Sequence, residues 1–429
     1  MPQKLIDQTT IQPDGRPGDD AFTAFAICND NFADSEGRLS ALEGGSSNIG
    51  QDVADLKVGL QQETQLRTDA DTALSQAIAA EVTALQNADT ALGARFIGKN
   101  RLINGSMRWW QRGTSFTAPG YSVDRWYFNA GGVATPSLSR NTVTPGAFDT
   151  ECIYLAKISY GAVTDAANHY VVLEQRMENV TTLAGRTVTV SLKVFNSGAA
   201  GRQIAIEFGQ SFGAGGSAQV SGIGAAKYSL APGINTVTHT VQIPSIGGKT
   251  VGANSSLILT LWATGGSNFN ARNASLGAQT GDVHFTQVQV EEGSSVSGYD
   301  YRPDGMELAL CQRFYQKSLP ASTAPGPGVL QGIGAPAVAF SPSAARVYQQ
   351  FRVDMRAFPT VTIYKGSDAS GGSDNGISLF NGAWTNHASA ANVSATRDTG
   401  FQVDAFATFT MTAGFTYLAG FHWTADAEL

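Results

Sequence analysis

The 429-residue chain predicts a mainly β fold preceded by an N-terminal α-helical coiled coil, and three observations carry that expectation. Apolar residues step by three and four between Ile49 and Leu92. From Phe96 onward the period changes to two. The composition has 48 glycines and 15% charged residues. Globular chains carry roughly 25% charged residues, so this balance fits extended strands joined by tight turns.

Ile49, Val53, Leu56 and Leu60 open the stripe, and Leu74, Ile78, Val82, Leu85 and Leu92 continue it, with Ala70 and Ala77 between. A polar helix with one apolar stripe has nothing in its own chain to pack on. The stripe is therefore expected to be a seam between copies of the chain. Two successive steps of four, from Leu74 to Ile78 to Val82, read as a stutter that locally unwinds a supercoil. Ala70-Asp71-Thr72-Ala73-Leu74 recurs as Ala88-Asp89-Thr90-Ala91-Leu92. The pattern leaves the number of helices open.

In front of it, residues 1–44 read as a small head. Gln12 to Asp20 is turn-rich, and Ala21 to Leu42 is helical with Phe22, Phe25 and Phe32 roughly on one side. So short a segment cannot build a large core, so these aromatics are expected to dock on a sister chain or another protein. Gly44-Gly45-Ser46-Ser47 is expected to break the helix, placing the coiled coil in 45–97.

Behind it, residues 98–305 read as a β-sandwich or jelly roll. Thr187–Val194, Gln203–Phe208, Asn235–Val241 and Asp282–Val290 alternate apolar and polar residues, and the more continuously apolar Ser256–Trp262 reads as a central strand. Pro303–Ser318 is expected as a short helix and Leu319–Gly328 as a linker, with the connecting domain between the β units bounded at 306–328. Residues 329–429 form a second β unit, with strands at Val347–Val353, Thr360–Tyr364, Thr399–Asp404, Phe406–Thr412 and Tyr417–Thr424.

Composition excludes several classes. The net charge is −7 without a run of Lys or Arg, which argues against nucleic acid as a partner. No stretch has the ~18 apolar residues of a membrane span, so no membrane insertion is expected. The first residues lack the apolar core of a signal peptide, so the chain is expected to be made in a cytoplasm. Cys28, Cys152 and Cys311 are far apart and read as reduced, buried thiols. The five histidines lack metal-ligand spacing, and neither a P-loop nor a nucleophile elbow appears in a suitable strand–helix context, so neither a metal nor a cofactor nor a catalytic residue is expected. Glu291-Glu292 and Asp300 with Asp304 are the acidic pairs a glycosidase could use, but neighbours on a strand point to opposite faces.

The segment Asn100-Arg101-Leu102-Ile103-Asn104-Gly105, followed by Trp110-Gln111-Arg112-Gly113-Thr114-Ser115-Phe116 and Tyr121-Ser122-Val123-Asp124-Arg125-Trp126, resembles the opening of a bacteriophage tail-fibre domain. The similarity continues at Leu173-Glu174-Gln175-Arg176-Met177-Glu178-Asn179, Leu183–Thr189, Gln287–Gly293 and Glu307–Tyr315, covering about 100–318. The ending Gly420–Leu429 resembles the ends of such fibres. Leu5-Ile6-Asp7 with Asn29-Asp30-Asn31-Phe32 resembles segments that fasten them to a tail. The resemblance implies a phage or prophage tail fibre with a carbohydrate-binding-module-like jelly roll. It further implies a homotrimer, a tail or baseplate protein as partner of the head, and a host surface polysaccharide or lipopolysaccharide as receptor. Such a chain acts in the virion tail. A structural connector without receptor binding and, more remotely, a polysaccharide depolymerase are the alternatives.

The expected receptor contacts lie in Leu379–His387. Phe380, Asn381, Trp384, Asn386 and His387 mix aromatic rings with amides and an imidazole, as sugar recognition requires. An ordinary hairpin is the competing reading. Trp109, Trp110, Trp126, Tyr127, Phe128 and Trp262 read as core or subunit interface before sugar platform.

Overall fold

The computed structural model describes residues 4–11, 13–93, 98–144, 146–149, 151–325, 333–365, 376–387, 391–407 and 409–429. It divides into two units, 1–88 and 89–429.

The first unit is built on one α-helix, α1 (Ala21–Gly93). Asp20 starts it as N-cap, its carboxylate accepting the Thr23 N–H at 2.7 Å. That bond holds the Asp20 carboxyl below its ordinary value. The segment before the helix folds back on it: Lys4 pairs with Asp30 at 2.7 Å and exchanges two backbone–amide bonds with Asn31. The expected break at Gly44-Gly45-Ser46-Ser47 is absent, because α1 runs through it. Each glycine costs only about 1 kcal/mol against alanine, unlike a proline, and Leu39, Ala41, Leu42 and Glu43 in front are good helix formers. The helix is about 110 Å long at 1.5 Å per residue.

The second unit begins with a two-sheet sandwich. Its strands are β1 (Ser115–Phe116), β2 (Gly120–Tyr121), β3 (Trp126–Gly131), β4 (Ser137–Thr142), β5 (Tyr154–Tyr160), β6 (Tyr170–Glu178), β7 (Thr187–Asn196), β8 (Arg202–Ser211), β9 (Val220–Leu230), β10 (Gly233–Gln242), β11 (Ser256–Gly265) and β12 (Gly281–Glu292). One antiparallel sheet has the order β1-β4-β5-β12-β7-β10, the other β2-β3-β6-β11-β8-β9. From β5 to β12 the chain changes sheet at every step except between β8 and β9, which makes the sandwich a jelly roll. Inward residues of both sheets share one core, including Val190, Val194, Ile206, Phe208, Leu259, Leu261, Val283 and Phe285. Strand β11 is buried along its whole length, because α2 (Asn270–Asn273) and its flanking loop cover the outer face beside Trp262.

Helix α3 (Asp304–Gln312) follows, shorter than expected. Residues Tyr315–Lys317, expected to be helical, form β13 instead. The other strands are β14 (Ile333–Ser341), β15 (Ala344–Gln350), β16 (Thr360–Lys365), β17 (Ile377–Phe380), β18 (Trp384–His387), β19 (Ala391–Ser394), β20 (Gly400–Phe406) and β21 (Thr416–Asp426). They make one nine-stranded sheet, ordered β18-β17-β21-β14-β15-β20-β19, with β13 and β16 also paired to β21. Among the described residues of Phe406–Thr412, the expected strand is not formed. Strand β20 ends at Phe406, Ala407 bonds to the Ser343 carbonyl and Met411 turns into the core.

The two β structures are joined by polar groups rather than held at the ends of a linker. Gln111 donates to both Asp124 oxygens, at 3.0 and 2.8 Å, and to the Tyr315 carbonyl at 3.2 Å. The Arg112 guanidinium lies 3.8 Å over the Tyr315 ring and 2.9 Å from Asp426. Arg125, fully buried, pairs with Glu428, stacks 3.4 Å over Phe314 and donates to the Arg176 carbonyl at 2.6 Å. Burial pulls its guanidinium down to about 10. Tyr121 and Arg176 both donate to the Leu429 carbonyl oxygen. Lys317 is buried with its ammonium among the carbonyls of Gln111, Ala321 and Thr323.

Candidate functional site

The terminal sheet has a covered and an open face. Ala335, Ala337, Ala339, Val347, Phe401, Val403, Ala419, Phe421 and Trp423 point into its core. Alternation then puts their neighbours on the other face. In register across the strands, Trp384, Phe380, Leu418 and Pro336 form one row, and Thr416, Val338, Arg346, Asp404 and Asn392 form a second. Tyr348, Gln402 and Ser394 form a third.

The hairpin β17–β18 sits at one edge of this face, where the expected receptor contacts lie. Phe380 and Trp384 face each other with ring centroids 5.4 Å apart at 59°, and both are partly exposed. Gly420 makes room for the indole: a Cβ there would lie 3.1 Å from Trp384 Cζ3. Asn381 is exposed in the turn, its N–H bonded to the Ala383 carbonyl. Asn386 and His387 belong to β18 by backbone pairing with Ser378 and Ile377; their side chains lie outside the described residues. The Gly366–Gly376 loop expected beside them likewise falls, through residue 375, outside those residues.

At the other edge the chemistry is polar. Arg346 grips Asp404 with two bonds, at 2.7 and 3.2 Å, which hold the guanidinium above its ordinary value. Gln402 donates to the Ser394 hydroxyl at 2.9 Å. The Arg346 guanidinium also lies 4.8 Å over the Phe340 ring. The face thus offers aromatic surface beside a planar amide, hydroxyls and a carboxylate without net charge.

Phe22, Phe25 and Phe32 are all exposed on α1. So are Ile49, Val53, Leu56, Leu60, Leu74, Ile78, Val82 and Leu85, while the Leu92 side chain lies outside the described residues. Cys152 and Cys311 are buried; Cys28 is only half-buried, a departure from the expected trio of buried thiols. Trp110, Trp126, Phe128 and Trp262 are core residues. Trp126 donates to the Asn104 carbonyl and Trp110 to the Met107 carbonyl.

A second polar row escaped sequence reasoning. Tyr121, Tyr127, Glu174, Thr260 and Glu207 are in register across the outer face of the second sandwich sheet. Burial raises both carboxyls above their ordinary values. Glu207, however, is fully engaged: it accepts from Arg272 at 2.6 and 2.9 Å, Gly222 at 2.6 Å and Trp262 at 3.2 Å. It anchors the covering loop, and a hydrolytic pair needs two carboxyl groups open to the scissile bond. The only sequence signal would have been Glu207 at an outward position of the alternating segment Gln203–Phe208.

No family model and no curated protein sequence matches the chain. Similar solved structures include a cyclase from Fischerella sp. TAU, at 13% identity and TM-score 0.29, covering 43% of this chain and 91% of that one. A CBM22-1 xylan-binding domain from Paenibacillus barcinonensis is 12% identical with TM-score 0.28, covering 47% and 100%. A family 11 carbohydrate-binding module from Clostridium thermocellum is 10% identical with TM-score 0.25, covering 41% and 91%. With scores this low, the jelly-roll assignment rests on the strand order itself.

Proposed function

We propose that this chain is a receptor-binding protein of the bacteriophage tail-fibre type. In this reading residues 1–44 attach to a tail or baseplate protein, α1 assembles three copies, and the distal β structure binds a host surface polysaccharide or lipopolysaccharide without cleaving it. The observation that carries the reading is the hairpin edge, where Phe380 and Trp384 present partly exposed rings next to the exposed Asn381 of the turn. Ring faces stack on sugar C–H groups while amides and hydroxyls bond to sugar hydroxyls. Weak individual sites suffice, because further contacts of a multivalent fibre become intramolecular.

The test is retention of the full chain on a panel of bacterial surface polysaccharides and lipopolysaccharides. Trp384→Ala is expected to weaken retention at least tenfold while leaving the circular dichroism spectrum unchanged; equal retention would remove the hairpin from the reading. Light scattering tests assembly separately, with a mass near three times 45.0 kDa expected.

A further inference from the structure

We infer that the open face of the terminal sheet, at its β14–β15–β20 end, is a contact surface for a second copy of this chain. This extends the self-assembly of the reading above from the helix to a separate surface. Val338, Phe340, Tyr348, Phe406 and Leu418 stand on that face, and Phe415 stands at its end; all six are between 46% and 65% exposed. With an aromatic side chain presenting about 200 Å² when free, they expose together on the order of 600 Å² of apolar surface. That is at the upper limit for the largest patch of an ordinary monomer. With the intervening Arg346, Gln402 and Asp404 the face reaches about the 800 Å² per partner of a standard stable interface.

Charge points to a copy rather than to an ionic partner. Arg346 and Asp404 are the charged pair in the ladder rows, and they neutralise each other within the face. A neutral face attracts no basic or acidic partner, and it meets its own copy without like-charge repulsion. The hairpin with Phe380 and Trp384 is at the β17–β18 edge, outside the centre of the patch.

The experiment measures the solution mass of four forms of the full chain. They are the natural sequence, a stripe variant (Leu56→Asp, Leu60→Asp, Ile78→Asp), a face variant (Phe340→Lys, Phe406→Lys) and their combination. Phe340→Ser with Phe406→Ser serves as a milder face variant, and circular dichroism confirms the strand content of each. The stripe variant is expected to remain above 45.0 kDa at high concentration, and the combination to fall to 45.0 kDa. A stripe variant that is already monomeric overturns the inference and leaves the helix reading intact. A combination that still associates also overturns it, because another surface then joins the copies. A face variant that is monomeric by itself supports the inference and removes the helix reading.

Discussion

The sandwich and the terminal sheet are both antiparallel β structures, yet they treat apolar surface differently. Among the described residues, only Ile234 and Val251 are large exposed apolar side chains between residues 98 and 302. Between 333 and 429 there are nine: Val338, Phe340, Tyr348, Phe358, Phe380, Trp384, Phe406, Phe415 and Leu418. In the sandwich each sheet hides the apolar face of the other, and a loop with α2 covers Trp262 as well. The terminal sheet buries one face in its own core, and among the described residues the other carries the exposed side chains named above. Large exposed apolar patches mark interaction surfaces, whereas the large apolar residues described in the sandwich are nearly all covered.

Four experiments break or sharpen this contrast. The largest effect belongs to the sandwich core. Phe285→Ala empties a fully buried site and should lower unfolding free energy by about 3–5 kcal/mol. Phe358→Ala, on the exposed side of the terminal unit, should change it by about 0.5 kcal/mol or less in the same denaturant titration. Similar losses from both would erase the distinction.

The next effect is at the joint. Arg125→Met removes the partner of buried Glu428 and should destabilise by about 3 kcal/mol, the lower end for breaking a buried pair, because Arg112 remains 3.3 Å from Glu428. If the joint holds the two structures as one cooperative body, the melt of Arg125→Met should split into two transitions by calorimetry.

The third is pH dependence. His284 is buried on β12 against Phe195, with Asn141 3.4 Å from its Nδ1. Burial, with Lys157 nearby, pulls the imidazole down to about 4, partly opposed by Asp282. Between pH 4 and 6.5 the unfolded chain therefore binds a proton that the native chain does not. Stability should rise with pH through that window and fall on acidification, by about 2–3 kcal/mol in all. His284→Gln should flatten the curve there; an unchanged slope would exclude His284 as its source.

The smallest effect is Gly420→Ala, which sets a methyl group against the Trp384 ring. It should move the indole with a stability change of about 1 kcal/mol or less. Sugar retention should fall as with Trp384→Ala, if that ring is the platform.

Much of the sandwich was legible because its strands alternate cleanly. Thr187–Val194 lies inside β7, Asn235–Val241 inside β10, Asp282–Val290 inside β12, and Ser256–Trp262 is indeed the buried centre of its sheet. Strand β14 was not legible. Its Gly334 and Pro336 read as breakers, and its inward residues are the small Ala335, Ala337 and Ala339, which carry little apolar signal. Periodicity recovered the helix but overrated its glycines. Several residues of the tail-fibre-like motifs lie at the joint. Asn104, Gln111, Arg112, Asp124, Arg125, Phe314, Tyr315 and Glu428 meet to hold the β structures together, a role that only contacts more than a hundred residues apart reveal.

Strand β13 has a mechanical consequence. Helix α3 is tied to the sandwich where Glu307 accepts the Asn104 N–H and pairs with Arg302. Only two residues lie between its end and Tyr315–Lys317, which is hydrogen-bonded to β21. Tension transmitted from the sandwich to the terminal sheet is therefore carried in shear by a short ladder and by the ion pairs beside it, with almost no slack to take up. The same tether removes torsional freedom between the two structures. Whatever the outer sheet face meets, it meets at an angle set by the sandwich.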